Sequence, residues 1–187
     1  YLETPSNPLT ELADLQAIGQ IARQAGVITV VDNCFLTPAL QQPLAFPIDL
    51  VLHSATKYID GQGRVLGGAV AGPKALVEQV RQVVRTCGPS MSPFNAWVLH
   101  KSLETLSVRM RAHNANAQAL AEWLQAHPAV AKVHYPGLAS HPQHALAQRQ
   151  QCGGGAVVAF ELKGTDSVEP TKKAFALIDR VQLFSRT

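Results

Sequence analysis

The sequence predicts an α/β fold built on a mostly parallel sheet. Two apolar runs and the helix before the first carry that reading. Val27-Ile28-Thr29-Val30-Val31 is rich in β-branched residues and lacks polar alternation, as in a strand buried on both faces. Ile48 to His53, whose apolar run is broken only by Asp49, is a second such strand. Helix, strand, connection and strand then follow one another in the rhythm of a parallel sheet.

Taken in order, Leu2-Glu3 reads as a strand end, followed by a turn through Pro5 and Pro8. Asp14 is an N-cap; Leu15, Ile18, Ile21, Ala22 and Ala25 recur at helical spacing until Gly26 stops the helix. The first apolar strand ends on Asp32. A loop with Pro38, Pro43 and Pro47 leads to the second strand, which runs into Ser54-Ala55-Thr56-Lys57-Tyr58. Asp60-Gly61-Gln62-Gly63 is a turn and Gly67 to Gly72 a short return strand. Pro73 opens a helix with Leu76, Val77, Val80, Val83 and Val84 on one side.

Ser92-Pro93 starts a helical pattern that lasts until His127-Pro128. That exceeds an ordinary globular helix, so a break or kink is expected near Leu106-Ser107, and a domain boundary is set there, dividing residues 1–106 from 107–187. Beyond it come a strand from Val130 to Tyr135, a helix from Pro142 to Gln151 and a strand from Ala156 to Leu162. A helix from Glu169 to Ile178 and a strand from Val181 to Phe184 complete an α+β pattern. Gly153-Gly154-Gly155 precedes a strand instead of opening a helix, so it reads as a close-packing loop and not as a phosphate loop. The chain starts at Tyr1 inside a strand end and stops at Ser185-Arg186-Thr187 after an apolar run. It is therefore read as an internal piece of a longer protein.

Composition excludes several classes. With 187 residues, 47% hydrophobic and 16% charged, the chain is globular and not disordered. The net charge of +3 is modest and no basic cluster is interleaved with aromatics, so no nucleic-acid partner is expected. No apolar run reaches spanning length and no signal peptide is present, which argues against a membrane protein. Cys34, Cys87 and Cys152 lie far apart with no CxxC pair. That odd, sparse set suits a reducing cytoplasm, and no metal site is assigned.

The chemistry-bearing residues gather at strand ends, where ligands bind in open α/β sheets. Asp32 and Lys57 are 25 residues apart, each beyond the carboxyl end of a strand, and Asn7 lies 25 residues before Asp32. Ser54 and Thr56 flank Ala55 just before the lysine. A lysine amine, a carboxylate and paired hydroxyls are what pyridoxal phosphate (PLP) requires: an attachment point, a partner for the ring nitrogen and a phosphate cup. Each residue also has a plainer reading. Asp32 can cap a loop, Asn7 can serve the turn beside Pro8, Ser54 and Thr56 can be turn hydroxyls, and Lys57 a surface lysine.

Three motifs go further. Glu3-Thr4-Pro5-Ser6-Asn7-Pro8, Val31-Asp32-Asn33 and His53-Ser54-Ala55-Thr56-Lys57-Tyr58 closely resemble the Cys/Met-metabolism family of PLP enzymes. That family includes cystathionine γ-synthases, cystathionine and methionine γ-lyases and homoserine-ester sulfhydrylases. Leu103-Glu104-Thr105-Leu106, Arg109-Met110, His113, Asn116-Ala117 and Tyr135-Pro136-Gly137-Leu138 continue the resemblance along the chain. Asp32 to Phe35 and Lys57 to Arg64 look most like its O-succinylhomoserine sulfhydrylase branch, although neither Cys34 nor Arg64 has an evident chemical task. Cys34 reads as a small apolar filler and not as a nucleophile.

The resemblance implies a fold-type-I, aminotransferase-like large domain, of which residues 1–106 are the C-terminal part. Residues 107–187 are then the start of the small C-terminal domain. It makes Lys57 the Schiff-base lysine, Asp32 the pyridinium partner, Ser54 and Thr56 phosphate contacts, and Asn7 a contact to the ring oxygen. The implied reaction is γ-replacement on an amino-acid substrate: O-succinyl-L-homoserine and sulfide give L-homocysteine and succinate. It also implies a homotetramer with shared active sites. The family's intersubunit Tyr and Arg, its phosphate loop and its stacking Tyr precede Tyr1, and its substrate-carboxylate Arg follows Thr187. The 187-residue chain alone is therefore expected to be inactive. A synthase, a γ-lyase and a non-catalytic truncated homologue remain alternatives; a cofactor-free Schiff-base aldolase lacks its eightfold βα repeat here.

Overall fold

A computed structural model describes residues 1–164 and 168–185; positions 186 and 187, part of the expected chain-end segment, lie outside the described residues. The main sheet has the order β1 (Leu2–Glu3), β2 (Val30–Asp32), β3 (Leu50–Ser54), β4 (Gly68–Ala71). β1–β2 and β2–β3 are parallel, and β4 returns antiparallel to β3. Registers Glu3↔Asp32 and Asp32↔Leu52 bring the carboxyl ends of three strands to one edge. A second sheet pairs β5 (Val130–His134) with β6 (Ala159–Leu162), antiparallel. The expected α/β class, mixed at its return strand, is the observed one.

Helix α1 (Leu15–Ala25) begins and ends where its caps dictate. Asp14 Oδ1 accepts the Ala17 N–H at 2.9 Å, and Gly26 takes φ +67°, a left-handed value that glycine adopts without a Cβ clash. Asp14→Ala should lower stability by about 1 kcal/mol, read as a shifted urea midpoint with an unchanged slope. The helix buries Leu15 against Val31, Ile48 and Val51 and buries Ala22 as well, while Ile21 points to solvent.

Several expected boundaries move. β2 starts at Val30, and Val27 and Ile28 are exposed loop residues. Asp49 accounts for both the late start and the polar break in the next run. Its carboxylate accepts the N–H and the hydroxyl of Thr29, both at 2.8 Å, and its own N–H donates to Thr29 Oγ1. Those bonds hold the Asp49 carboxyl below its usual range. The two strands are thus stitched together just before the ladder opens. β6 likewise begins at Ala159, not Ala156.

Of the break or kink expected near Leu106-Ser107, a break does not occur: α4 runs as one helix from Pro93 to Ala126. Its length is sustained by two successive packing partners. Val98, Leu99, Leu106 and Met110 pack under the segment after β3 and the short α2 (Thr37–Leu40). Ala117, Ala121 and Leu124 then pack with Val130, Val133, Tyr135 and Leu138 of the second sheet's layer. Helix α3 (Lys74–Cys87) buries none of its residues, α5 spans His144–Gln150, and α6 spans Glu169–Arg180. The strand expected over Val181–Phe184 does not form. Those residues find no partner strand among the described residues, and Leu183 and Phe184 are exposed.

Gly153-Gly154-Gly155 is the close-packing loop that its position before a strand implies. A Cβ on Gly153 would collide with the Asn114 amide, and one on Gly154 would lie 2.6 Å from the Tyr135 ring. Gly155 has φ +90°. Its N–H donates to Asn114 Oδ1, and its carbonyl accepts the Tyr135 hydroxyl at 3.0 Å.

Candidate active site

The carboxyl edge of the parallel strands is held by buried amides. Asn33 Nδ2 donates to the Thr37 and Gln41 carbonyls, and Gln41 Nε2 donates to Thr4 O and Asn33 Oδ1, all within 3.1 Å. This network ties the segment after β1 to the loop after β2. It fixes the backbone on both sides of Asp32, which is the last residue of β2.

The Asp32 carboxylate accepts the Cys34 N–H at 3.0 Å on Oδ1 and the Tyr1 hydroxyl at 2.9 Å on Oδ2. The bond to Asp32 raises the Tyr1 phenol to about 12. Cys34 joins this strand end to the next, since its sulfur accepts the Ser54 N–H. Burial, with help from Asp32, raises the Cys34 thiol to about 12, so it stays protonated and is no nucleophile at neutral pH. The filler reading of Cys34 therefore gains a structural task that the sequence did not reveal.

β3 ends at Ser54 and passes into a single wide helical turn, Ala55–Ile59, closed by Asp60 N–H to Ala55 O and Gly61 N–H to Lys57 O, both 2.8 Å. The backbone leaves helical angles at Lys57 (φ −82°, ψ −121°). Ala55 and Ile59 on this turn pack with Val65, Val98 and Leu99. Tyr58 lies against Leu106 and Met110 and meets the His113 ring edge-on at 5.6 Å. The Lys57 side chain is exposed and makes no hydrogen bond among the described residues.

Asp32, Ser54, Thr56 and Lys57 thus lie at the ends of two adjacent parallel strands. Asn7 is exposed in the turn after β1, closed by Thr10 N–H to Ser6 O at 2.9 Å and Ser6 N–H to Glu11 O at 2.8 Å. It follows the same edge in the chain, and among the described residues it makes no hydrogen bond to the other four. Thr56 is already committed: its hydroxyl donates to Gly67 O at 3.2 Å and accepts Gly67 N–H at 3.0 Å. A hydroxyl has one proton, so a phosphate contact from Thr56 requires that proton to turn away from Gly67.

The donor set fits PLP in part. Each Asp32 oxygen has given one lone pair and keeps another for a protonated ring nitrogen. Lys57 offers an exposed primary amine and Ser54 a hydroxyl. The remaining donors that a phosphate dianion needs are not among the groups at this edge. His53, beside Ser54, has a buried Nδ1 without a partner, and burial lowers its pKa, which keeps the ring neutral.

Two arginines missed as site residues brace this turn. Asp60, wholly buried, accepts Arg64 N–H at 2.7 Å, Arg64 Nε–H at 3.0 Å and Gln62 N–H at 3.3 Å. Arg64 Nη2 continues to Ser102 Oγ on α4 at 2.6 Å. Arg109, from the next turns of α4, reaches back to the same segment. The available signal was a glycine-rich loop following a strand-end lysine, with an arginine on the helix that must cover it.

A match to the family described as Cys/Met metabolism PLP-dependent enzyme extends over residues 1–187. The O-succinylhomoserine sulfhydrylase of Pseudomonas aeruginosa is 54% identical over 187 residues, covering 100% of this chain and 45% of that protein. A cystathionine beta-lyase of Coxiella burnetii is 42% identical over 187 residues, covering 99% of this chain and 47% of that one. The crystal structure of cystathionine gamma synthase from Xanthomonas oryzae pv. oryzae, with aminoacrylate and cysteine, superposes with a TM-score of 0.92 at 46% identity. It covers 100% of this chain and 47% of its own. The chain spans about half the length of the curated relatives it matches. With a full-length family match and a shared fold at this identity, the chain belongs to the Cys/Met metabolism family of PLP-dependent enzymes.

Proposed function

We propose that residues 1–187 form the lysine-bearing half of an active site for γ-replacement. In that reaction O-succinyl-L-homoserine and sulfide give L-homocysteine and succinate. The observation that carries the reading is Lys57, an exposed amine one strand away from the Asp32 carboxylate, in a chain 54% identical to a sulfhydrylase. PLP, when bound, supplies the electron sink that makes the substrate's Cα–H acidic. Asp32 holds the ring-nitrogen proton in place, which keeps that sink strong. Lys57 attaches the cofactor, then takes the Cα proton and returns it along the chain as succinate leaves and sulfide adds. Ser54, and Thr56 once its proton turns, serve the phosphate, and Asn7 the ring oxygen.

The reading extends to the whole molecule. Residues 1–106 belong to the cofactor-binding large domain and 107–187 to the start of the small one, with α4 shared between them. The remaining phosphate donors, the stacking ring and the substrate-carboxylate arginine come from other parts of a longer chain or from a neighbouring subunit of a cytoplasmic homotetramer. The 187-residue chain by itself is then inactive. Since Lys57, Asp32, Ser54 and Thr56 are all retained, a non-catalytic homologue is the weaker alternative.

Similarity to cystathionine gamma synthase favours a second reading, with cysteine as the nucleophile. The test is a full-length enzyme given O-succinyl-L-homoserine with sulfide, with cysteine, or with neither. Homocysteine formed faster from sulfide is expected. Cystathionine as the main product, or α-ketobutyrate without any nucleophile, would replace the proposal with the synthase or γ-lyase reading.

A further inference from the structure

Of the side chains that brace the segment presenting Lys57, Arg109 binds the backbone nearest the lysine, and the proposed chemistry does not use it. The Arg109 guanidinium donates to the carbonyls of Tyr58 at 2.7 Å and Ile59 at 3.0 Å, the first two residues after the lysine. On its other side it is anchored to α4, through Nε to Thr105 Oγ1 at 3.2 Å and Nη2 to Ser102 O at 3.0 Å. Four of its five N–H groups are thereby used, in a planar fork that lysine cannot reproduce. Room for the fork is made by Gly61, at φ +71°, where a Cβ would collide with the guanidinium.

We propose that Arg109 is a positioning residue: its fork couples the register of α4 to the backbone that aims the Lys57 amine. The inference rests on Lys57 being the cofactor lysine. The carbonyls of Tyr58 and Ile59 point into this fork because the turn is wide and departs from helical angles at Lys57 itself, so helix hydrogen bonds alone do not fix it. Arg109 supplies the missing constraint. Lys57 must attach the cofactor and later reach the substrate's Cα, and an amine displaced by about 1 Å loses on the order of 100-fold in rate.

Three variants of the full-length protein test this: Arg109→Lys, Arg109→Ala and Thr105→Ala. In cofactor-free protein, amide hydrogen exchange over residues 55–61 should accelerate in both Arg109 variants while the sheet's protection is unchanged. With PLP added, the pH at which the visible band of the lysine-bound cofactor titrates should shift, and kcat should fall by about 10- to 100-fold with KM little altered. Thr105 is exposed, so its loss leaves the fold intact and removes one anchor, with an effect of about fivefold in the same direction.

Unchanged local exchange and an unshifted band in Arg109→Lys would overturn the inference. So would a uniform loss of protection across the protein, which is what a merely structural arginine gives. If the Arg109 variants do not fold, a Thr105→Ala protein indistinguishable from wild type overturns it instead. A visible band that survives Lys57→Ala overturns the underlying cofactor assignment and this inference with it.

Discussion

Lys57→Ala in the full-length protein is expected to abolish the visible band of lysine-bound PLP and its trapping by borohydride, and to lower turnover by about 10⁴-fold or more. Two functions are lost at once, the attachment of the cofactor and the movement of the Cα proton. The structure makes the experiment clean. Lys57 is exposed and its side chain makes no hydrogen bond among the described residues, so truncation leaves nothing buried without a partner. Stability should stay within about 0.5 kcal/mol of wild type, as for surface substitutions generally. Lys57→Arg should fail as completely, because a guanidinium stays protonated at any working pH. Either variant retaining the band would exclude Lys57 as the attachment point.

How much of this was legible in the sequence depended on whether the signal was local. Asp14 and Gly26 cap α1 as read, because caps act within one turn and need only neighbours in sequence. The strand-end positions of Asp32 and Lys57 were legible for the same reason. The starts of β2 and β6 and the missing strand at Val181–Phe184 were not. A strand exists only where another strand pairs with it, and apolar content cannot say where pairing starts. The unbroken α4 escaped because two separate layers support its two halves, so no single amphipathic stripe runs along it.

The candidate site divides along the same line. Spacing brought Asp32, Ser54, Thr56 and Lys57 to one edge, but the commitments of their atoms depend on contacts distant in sequence. Thr56 spends its proton on Gly67, Ser54 gives its N–H to Cys34, and Asp32 receives Tyr1. Arg64 and Cys34 had no apparent chemistry in the sequence because their work is mechanical. Each closes a hydrogen bond between a strand-end loop and the next element.

Asp60 is where that mechanical work concentrates. Asp60→Ala is expected to cost about 3 kcal/mol, because it leaves the Arg64 and Gln62 N–H groups unpaired beneath a guanidinium that then lacks its carboxylate. The side chain is wholly buried while Arg64 is partly exposed, so the loss lies at the lower end for a broken buried pair. Burial opposes the charge on Asp60, but the Arg64 N–H, the Arg64 guanidinium and the Gln62 N–H outweigh it and hold the carboxyl below its ordinary 3.8. A group depressed on folding adds stability that is complete above its ordinary value and disappears as the pH falls through the folded one. The urea midpoint of wild type should therefore drop towards that of Asp60→Asn below about pH 4, having been well separated from it above about pH 5. A gap that stays constant down to low pH would mean the pair carries no net charge-dependent stability. Because the Asp60 carboxylate also holds the Gln62 and Arg64 N–H groups just after the turn, the same substitution should loosen the backbone that presents Lys57. Stability and turnover should then fall together in Asp60→Ala, whereas Lys57→Ala removes turnover alone.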